Sequence, residues 1–126
     1  MPINRYIVEF GVGIDFHGQS VTRAAEKAVR DATSKSTLCG LKELLGLTNF
    51  DEQLLIKTKV AVTRPEEVDK DKVAACLPVG KVEVEPVLGG MSVDGMFMES
   101  MGDKDPSVEV AVACIEVFVV NPVGNL

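Results

Sequence analysis

The sequence predicts a two-layer α+β domain, a β-α-β-α-β-β sandwich in which helices cover one face of a sheet. Three segments support this prediction. Apolar residues recur at helical spacing over residues 20–34, and they alternate with polar residues over 53–63. Residues 107–120 form a long strand that is apolar on both faces, which is typical of a central strand covered on both sides.

The predicted elements follow one another with short breaks, and the 126-residue chain has the length of a single domain over 1–126. In chain order they are a strand over 6–13, a helix over 20–34, a helical turn over 41–45, a strand over 53–63, a helix over 68–76, a strand over 82–85 and a strand over 107–120. Residues 89–105 contain four of the five methionines and are predicted to form a long loop, which would serve as a lid, a partner surface or a disordered segment.

Two helices can cover only one face of such a sheet, and the other face also carries apolar side chains. In one register or the other, these include Ile7, Leu55, Ala61, Ala113, Ile115 and Val117. A second copy of the chain is the simplest cover for that face. We therefore expect a homo-oligomer.

Composition and charge exclude several classes of partner. The net charge is −6, with 19 acidic against 13 basic residues, and the basic residues are scattered. Nucleic-acid binders usually present a basic stripe, so neither nucleic acid nor an anionic membrane surface is an expected partner. The N-terminal residues lack the apolar segment of a signal peptide, and no apolar run reaches the length needed to span a bilayer. We expect a soluble, cytoplasmic protein.

The three cysteines, Cys39, Cys76 and Cys114, are widely spaced and form no CxxC pair. This spacing argues against a disulfide framework or a structural zinc site. Cys76 follows two alanines and Cys114 lies within an apolar run, so both are predicted to be small buried side chains.

The main candidate site is the segment Gly11-Val12-Gly13-Ile14-Asp15-Phe16-His17-Gly18, between the first strand and the first helix. It does not match the two common nucleotide-binding templates. The dinucleotide fingerprint requires a glycine where this chain has Phe16, and the phosphate-binding loop requires a lysine where it has Gln19.

The segment nevertheless combines groups that suit a small-molecule site. Asp15 and His17, the only histidine, could form a general acid/base pair or two ligands of a metal, whose third ligand would come from Glu9, Glu85, Cys39 or a neighbouring subunit. Gly11, Gly13, Gly18 and Ser20 would hold an anionic group at the start of the helix, since the first helical turn has free N–H donors. Alternatively, Asp15 caps the turn, His17 binds a backbone carbonyl and the glycines relieve a crowded backbone.

The pattern G-x-G-x-D-x-H-G at residues 11–18 resembles the signature of a small family of conserved hypothetical proteins from bacteria and plants, and the chain length also agrees. The resemblance implies that Asp15 and His17 belong to a shared site, but it implies no substrate. The order of elements and the long last strand resemble chorismate-mutase-like trimers, RidA-type deaminases and one repeat of the ring-opening cyclic amide hydrolases. Those folds imply a trimer with ligands between subunits.

Other charged residues have both structural and functional interpretations. Arg64 could bind a carboxylate or phosphate of a ligand, although a salt bridge to Glu66 or Glu67 is the simpler expectation. Glu116 lies on a largely apolar strand, where it would be a functional acid or an interface ion pair. The pairs of lysines at 57 and 59 and of glutamates at 83 and 85 are predicted to face solvent.

Taken together, these patterns predict a small-molecule-binding protein or a hydrolase/lyase-type enzyme with Asp15 and His17 at a subunit interface. The alternative is a non-catalytic regulatory or interaction module that binds partners through the methionine-rich loop. The sequence specifies no cofactor.

Overall fold

The computed structural model describes residues 3–120 as a mixed α/β structure with a five-stranded sheet and few helices. In chain order the elements are β1 (Ile3–Asp15), α1 (Val21–Thr33), α2 (Gly40–Glu43), α3 (Phe50–Gln53), β2 (Leu54–Val62), α4 (Lys70–Ala74), β3 (Lys81–Leu88), β4 (Met91–Asp94) and β5 (Ser107–Val120). Two 3₁₀ turns, Pro65–Glu67 and Glu99–Met101, lie in the connections.

The long strand β5 is the centre of the sheet. It pairs antiparallel with β1 along one edge and with β2 along the other, and β3 lies parallel to β2 at the outside, giving the order β1-β5-β2-β3. The short strand β4 pairs with the first residues of β5, where Ser92 is opposite Glu109. Because Asp15 is opposite Glu109 on the other side, the ends of β1 and β4 flank the start of β5.

Helix α1 packs on one face of the sheet, and the core lies between them. The buried face of α1 consists of small residues, mostly alanine, which let the helix approach the strands closely. A Cβ atom at Gly11 would lie 2.2 Å from the carbonyl oxygen of Ala28, and one at Gly13 would lie 2.1 Å from that of Ala24. The two glycines of β1 therefore make room for the backbone of α1.

On the opposite face of the sheet, no helix of residues 3–120 is packed. Its outward side chains include Phe10, which is 60% exposed, and Val12, which is 51% exposed. The alternation along β5 puts Val112 and Cys114 on this face, whereas Ala113, Ile115 and Val117 face α1 and are buried. We call this helix-free side of the sheet the open face.

Several sequence-based expectations need correction. Of the apolar residues expected on the uncovered face, Ala113, Ile115 and Val117 lie under α1, and Ile7 packs against the same core. The reason is that Gly11 and Gly13 of β1 face α1, so the residues opposite them on β5 face α1 as well. Cys76 and Cys114 are half-buried, and Cys39 is exposed. The predicted loop over 89–105 contains a strand, β4, and a 3₁₀ turn. The predicted bounds of β5 are confirmed.

Candidate functional site

The connection from β1 to α1 is built around the carboxylate of Asp15, the last residue of the strand. Its Oδ2 accepts a hydrogen bond from the backbone N–H of Ser20 at 2.8 Å, and the residue is only 2% exposed. Gly18 and Gln19 between them have positive φ angles of 93° and 53°. Asp15 thus closes a tight loop in which one non-glycine residue adopts the left-handed conformation.

His17 lies in this loop and pairs with a carboxylate 86 residues further along the chain. Its Nδ1 is 2.7 Å from Oδ2 of Asp103, whose side chain is almost completely buried. The predicted pairing of His17 with Asp15 is not formed. Side chains two residues apart share a face only within a strand, and β1 ends at Asp15.

The Asp103 carboxylate is held from several directions. Oδ1 accepts hydrogen bonds from the backbone N–H of Gly18 at 2.8 Å and from Nε2 of Gln19 at 3.1 Å, and Oδ2 accepts one from the N–H of Met98 at 2.8 Å. The hydrogen bond from His17, together with these donors, holds the pKa of Asp103 well below its usual range. Because an ionised carboxylate only accepts hydrogen bonds, Nδ1 of His17 carries the proton between them.

Gln19 fixes the segment that carries Asp103. Its side-chain Nε2 also donates to the carbonyl oxygens of Asp105 and Ser107, at 3.1 and 3.2 Å, and its Oε1 accepts from the N–H of Lys104 at 3.0 Å. A residue held at positive φ costs free energy, which these contacts offset. Gln19 therefore joins the loop after β1 to the loop before β5.

A third buried carboxylate, Glu109, is linked to the backbone of Gln19 through Arg64. Its Oε1 accepts hydrogen bonds from the hydroxyl of Thr63 and from Nη1 of Arg64, the latter at 2.9 Å. Nη2 of Arg64 donates to the backbone carbonyl of Gln19 at 2.7 Å, and Nε pairs with Glu67 at 2.7 Å. Oε2 of Glu109 is buried without a hydrogen-bond partner among the described residues.

An open cleft of about 390 Å³ adjoins His17. Phe16, Val93, Met96 and Val108 give it apolar walls, and Gly95 also lines it. His17 and Asp94 are its charged or titratable side chains. In the described part of the chain, the His17 ring hydrogen-bonds only through Nδ1. The cleft therefore suits a small molecule with an apolar part and a group that exchanges a proton.

The structure places the other predicted site residues in structural positions. Gly11 and Gly13 were expected to bind a ligand, but the backbone of α1 occupies the space beside them. The Ser20 hydroxyl caps α1 by accepting a hydrogen bond from the N–H of Arg23 at 3.1 Å. All three guanidinium nitrogens of Arg64 bind protein groups, including the expected Glu67.

Sequence reasoning missed Asp103 and Asp94 because both lie in the segment that was predicted to be an irregular loop. Their only signal was that they are acidic residues within a Gly- and Met-rich segment of unusual length, which is typical of functional loops. Which acid would meet His17 depends on how the start of β5 folds back onto the end of β1.

Three further findings concern the rest of the described chain. Glu116 on the open face forms an ion pair with Arg5 at 2.9 Å. Within residues 3–120, no three side chains of His, Cys, Asp or Glu are grouped so that they could hold one metal ion. Over the same residues, no helix has the length and apolar character needed to cross a membrane.

Comparison with known proteins shows a structure with a similar fold and the family of the chain. The chain is similar to the crystal structure of an FtsZ-like protein of unknown function from Nostoc punctiforme, with a TM-score of 0.85 and 38% sequence identity over 96% of this chain and 99% of that one. No curated protein matches the chain. A family model of conserved hypothetical proteins, Lin0512_fam, matches residues 5–117, and the chain belongs to this family, whose function is unknown.

Proposed function

We propose that this protein binds a small molecule in the cleft beside His17 and that His17 exchanges a proton with it, as in hydrolase- or lyase-type reactions. The observation that supports this function is the 2.7 Å contact between Nδ1 of His17 and the buried carboxylate of Asp103. A histidine held in this way by a carboxylate is a common arrangement for general acid/base catalysis.

The chemistry follows from the hydrogen bonding of the two ring nitrogens. When the neutral imidazole donates a hydrogen bond from its Nδ1–H to Asp103, Nε2 retains its lone pair and can accept a proton from a bound molecule. The resulting imidazolium lies beside an ionised carboxylate, which stabilises the positive charge. His17 is then the catalytic residue, and Asp103 is a positioning residue that fixes the tautomer and orientation of the ring.

Asp15 has a different role in this proposal from the one that the sequence alone predicts. Its carboxylate closes the loop by binding the N–H of Ser20 and is buried away from solvent. It positions the loop on which His17 lies. Asp94, which lines the cleft, is available to interact with a polar group of the ligand.

We also retain the proposal of a trimer with ligand sites between subunits, as in chorismate-mutase-like and RidA-type folds. The support for it is the open face of the sheet, which carries exposed apolar side chains next to the cleft. The non-catalytic alternative is supported by the exposure of Met96 and Phe97, which are 70% and 50% exposed.

A ligand screen tests the proposal. Metabolite-like compounds are tested for thermal stabilisation of the wild type, of His17→Gln and of a matched control, Lys42→Gln, on the exposed surface of α2. Compounds that stabilise the wild type and Lys42→Gln are expected to lose most of this effect with His17→Gln, because the ring contributes to binding. Each such compound is then followed by proton NMR for turnover by the wild type.

Two results would contradict this assignment. One is that every compound raises the melting temperature of His17→Gln as much as that of the wild type, which would place binding elsewhere. The other is that His17→Gln fails to fold while Lys42→Gln folds normally, since His17 would then serve the structure. Stabilisation without turnover would favour the non-catalytic alternative over an enzyme.

A further inference from the structure

The open face of the sheet is mostly apolar at the end where β4 pairs with β5. Its most exposed members are Phe10 and Val12 on β1, Val112 on β5, and Met91 and Val93 on β4. We call these five residues the open-face patch. Between them and the outer edge of the sheet, the outward positions of β2 and β3 are occupied by Ala61 and Val87.

Together with the apolar residues of the adjoining cleft, the open-face patch is larger than exposed apolar patches usually are on a monomer. Its five members are 40–60% exposed, and Phe16 and Met96, at 57% and 70%, extend it into the cleft. Taking roughly 150–200 Å² for a fully exposed side chain of this size, the five members expose about 450 Å², and together with Phe16 and Met96 they expose on the order of 700 Å². Typical monomers expose patches of about 300–600 Å², whereas a standard interface buries about 800 Å² per partner.

The composition of the patch favours a permanent interface. Interfaces between transient partners are about as polar as the rest of the surface, whereas homo-oligomer interfaces are more apolar and exclude charged residues from their centre. The outward positions from the row of Val12 and Val112 to the end at β4 are all apolar, and the first charged residues, Lys59 and Glu85, lie in the next row, which also contains Phe10.

We infer that a second copy of this chain docks on the open-face patch and thereby closes the cleft beside His17. The two sites are continuous, because Val93 belongs to the patch and also lines the cleft, and Val108, next to it in the sheet, forms another wall. The closure rests on the proposed function of the cleft. A neighbouring copy would supply the wall that the single chain lacks and exclude water from the reacting group.

Sedimentation velocity on the full chain, over roughly a hundredfold range of protein concentration, tests the interface. The wild type is expected to sediment as an assembly, and the double variant Val12→Glu/Met91→Glu as a monomer. The control is Leu44→Glu, which adds one such charge at an 82% exposed leucine outside the sheet, after α2. The control is expected to assemble as the wild type does.

A milder variant covers the case in which the double variant does not fold, as judged by circular dichroism. Val12→Thr keeps the β-branched shape and is expected to weaken assembly by tenfold or more if the interface is there. A wild type that stays monomeric at every concentration would overturn the inference. So would an assembly that neither Val12 variant weakens, because the copies would then meet elsewhere.

The closing of the cleft has a separate readout. Compounds that stabilise the wild type are expected to stabilise the monomeric variant much less, even though its His17–Asp103 pair is intact. Equal stabilisation of monomer and assembly would overturn the closure. Neither result bears on whether His17 acts on the ligand, since that role is tested by His17→Gln in the assembled protein.

Discussion

Two buried carboxylates, Asp103 and Glu109, are both connected to Gln19, the first directly and the second through Arg64, but they differ in their other partners. Glu109 is 1% exposed and is held by Thr63 and Arg64, which both belong to the segment after β2. Asp103 is held by three N–H donors of the protein, and its remaining partner is the imidazole of His17, which borders an open cleft.

Glu109 is paired with groups that belong to the fold, whereas Asp103 is paired with the side chain to which we assign the proton exchange. The charge of Glu109 is compensated by Arg64, which is itself fully engaged with the protein. The charge of Asp103 lies beside the His17 ring, which is 23% exposed. In the described part of the chain, one nitrogen of this ring has no protein hydrogen bond. Substitutions at the two carboxylates should therefore differ in kind.

The largest expected effect is on stability, at the Glu109 side. Arg64→Ala would leave the Glu109 carboxylate buried without its cation and would release the carbonyl of Gln19. We expect it to lower the free energy of unfolding by about 3 kcal/mol, the lower end of the range for a broken buried pair, because Arg64 is 35% exposed. Urea unfolding measures this change.

The same substitution in a Glu109→Gln background provides the control. If the loss comes from an uncompensated charge, Arg64→Ala should cost less there, because the amide that replaces the carboxylate carries no charge. An equal loss in both backgrounds would show that Arg64 acts through its contacts with Gln19 and Glu67 alone, and the ion pair would not be the cause.

A smaller effect is expected at Asp103, whose contribution to the free energy of unfolding should depend on pH in the acid range. Since folding lowers the pKa of Asp103 below its ordinary value of 3.8, the carboxylate stabilises the fold above that pH, and this stabilisation is lost as the pH falls through the folded-state pKa. Asp103→Asn should be less stable than the wild type at pH 7, and the difference should shrink below about pH 4.

Urea unfolding of both proteins at a series of acidic pH values checks this expectation. Asp105→Asn is a useful comparison, because the hydrogen bond from Ser107 lowers the pKa of Asp105 but no histidine is involved. A difference between the wild type and Asp103→Asn that stays constant with pH would mean that the folded protein does not lower the pKa of Asp103.

The sequence predicted most of the strands and the main helix because their apolar residues follow regular periods. It could not decide which face of β5 lies under α1, since both faces are apolar, and the two glycines that decide this were interpreted as ligand contacts. It pointed to His17 as the only histidine. It could not find Asp103, because that contact spans 86 residues and depends on how Gln19 joins two loops.

The tautomer of His17 tests the central claim most directly. Long-range nitrogen–proton correlation spectra of the labelled protein report it, and with one histidine in the chain they need no assignment. The neutral ring should carry its proton on Nδ1, and Asp103→Ala should abolish this preference. A wild-type ring protonated on Nε2 would contradict the account, because Nδ1 could not then donate to Asp103 and Nε2 would have no lone pair for a ligand.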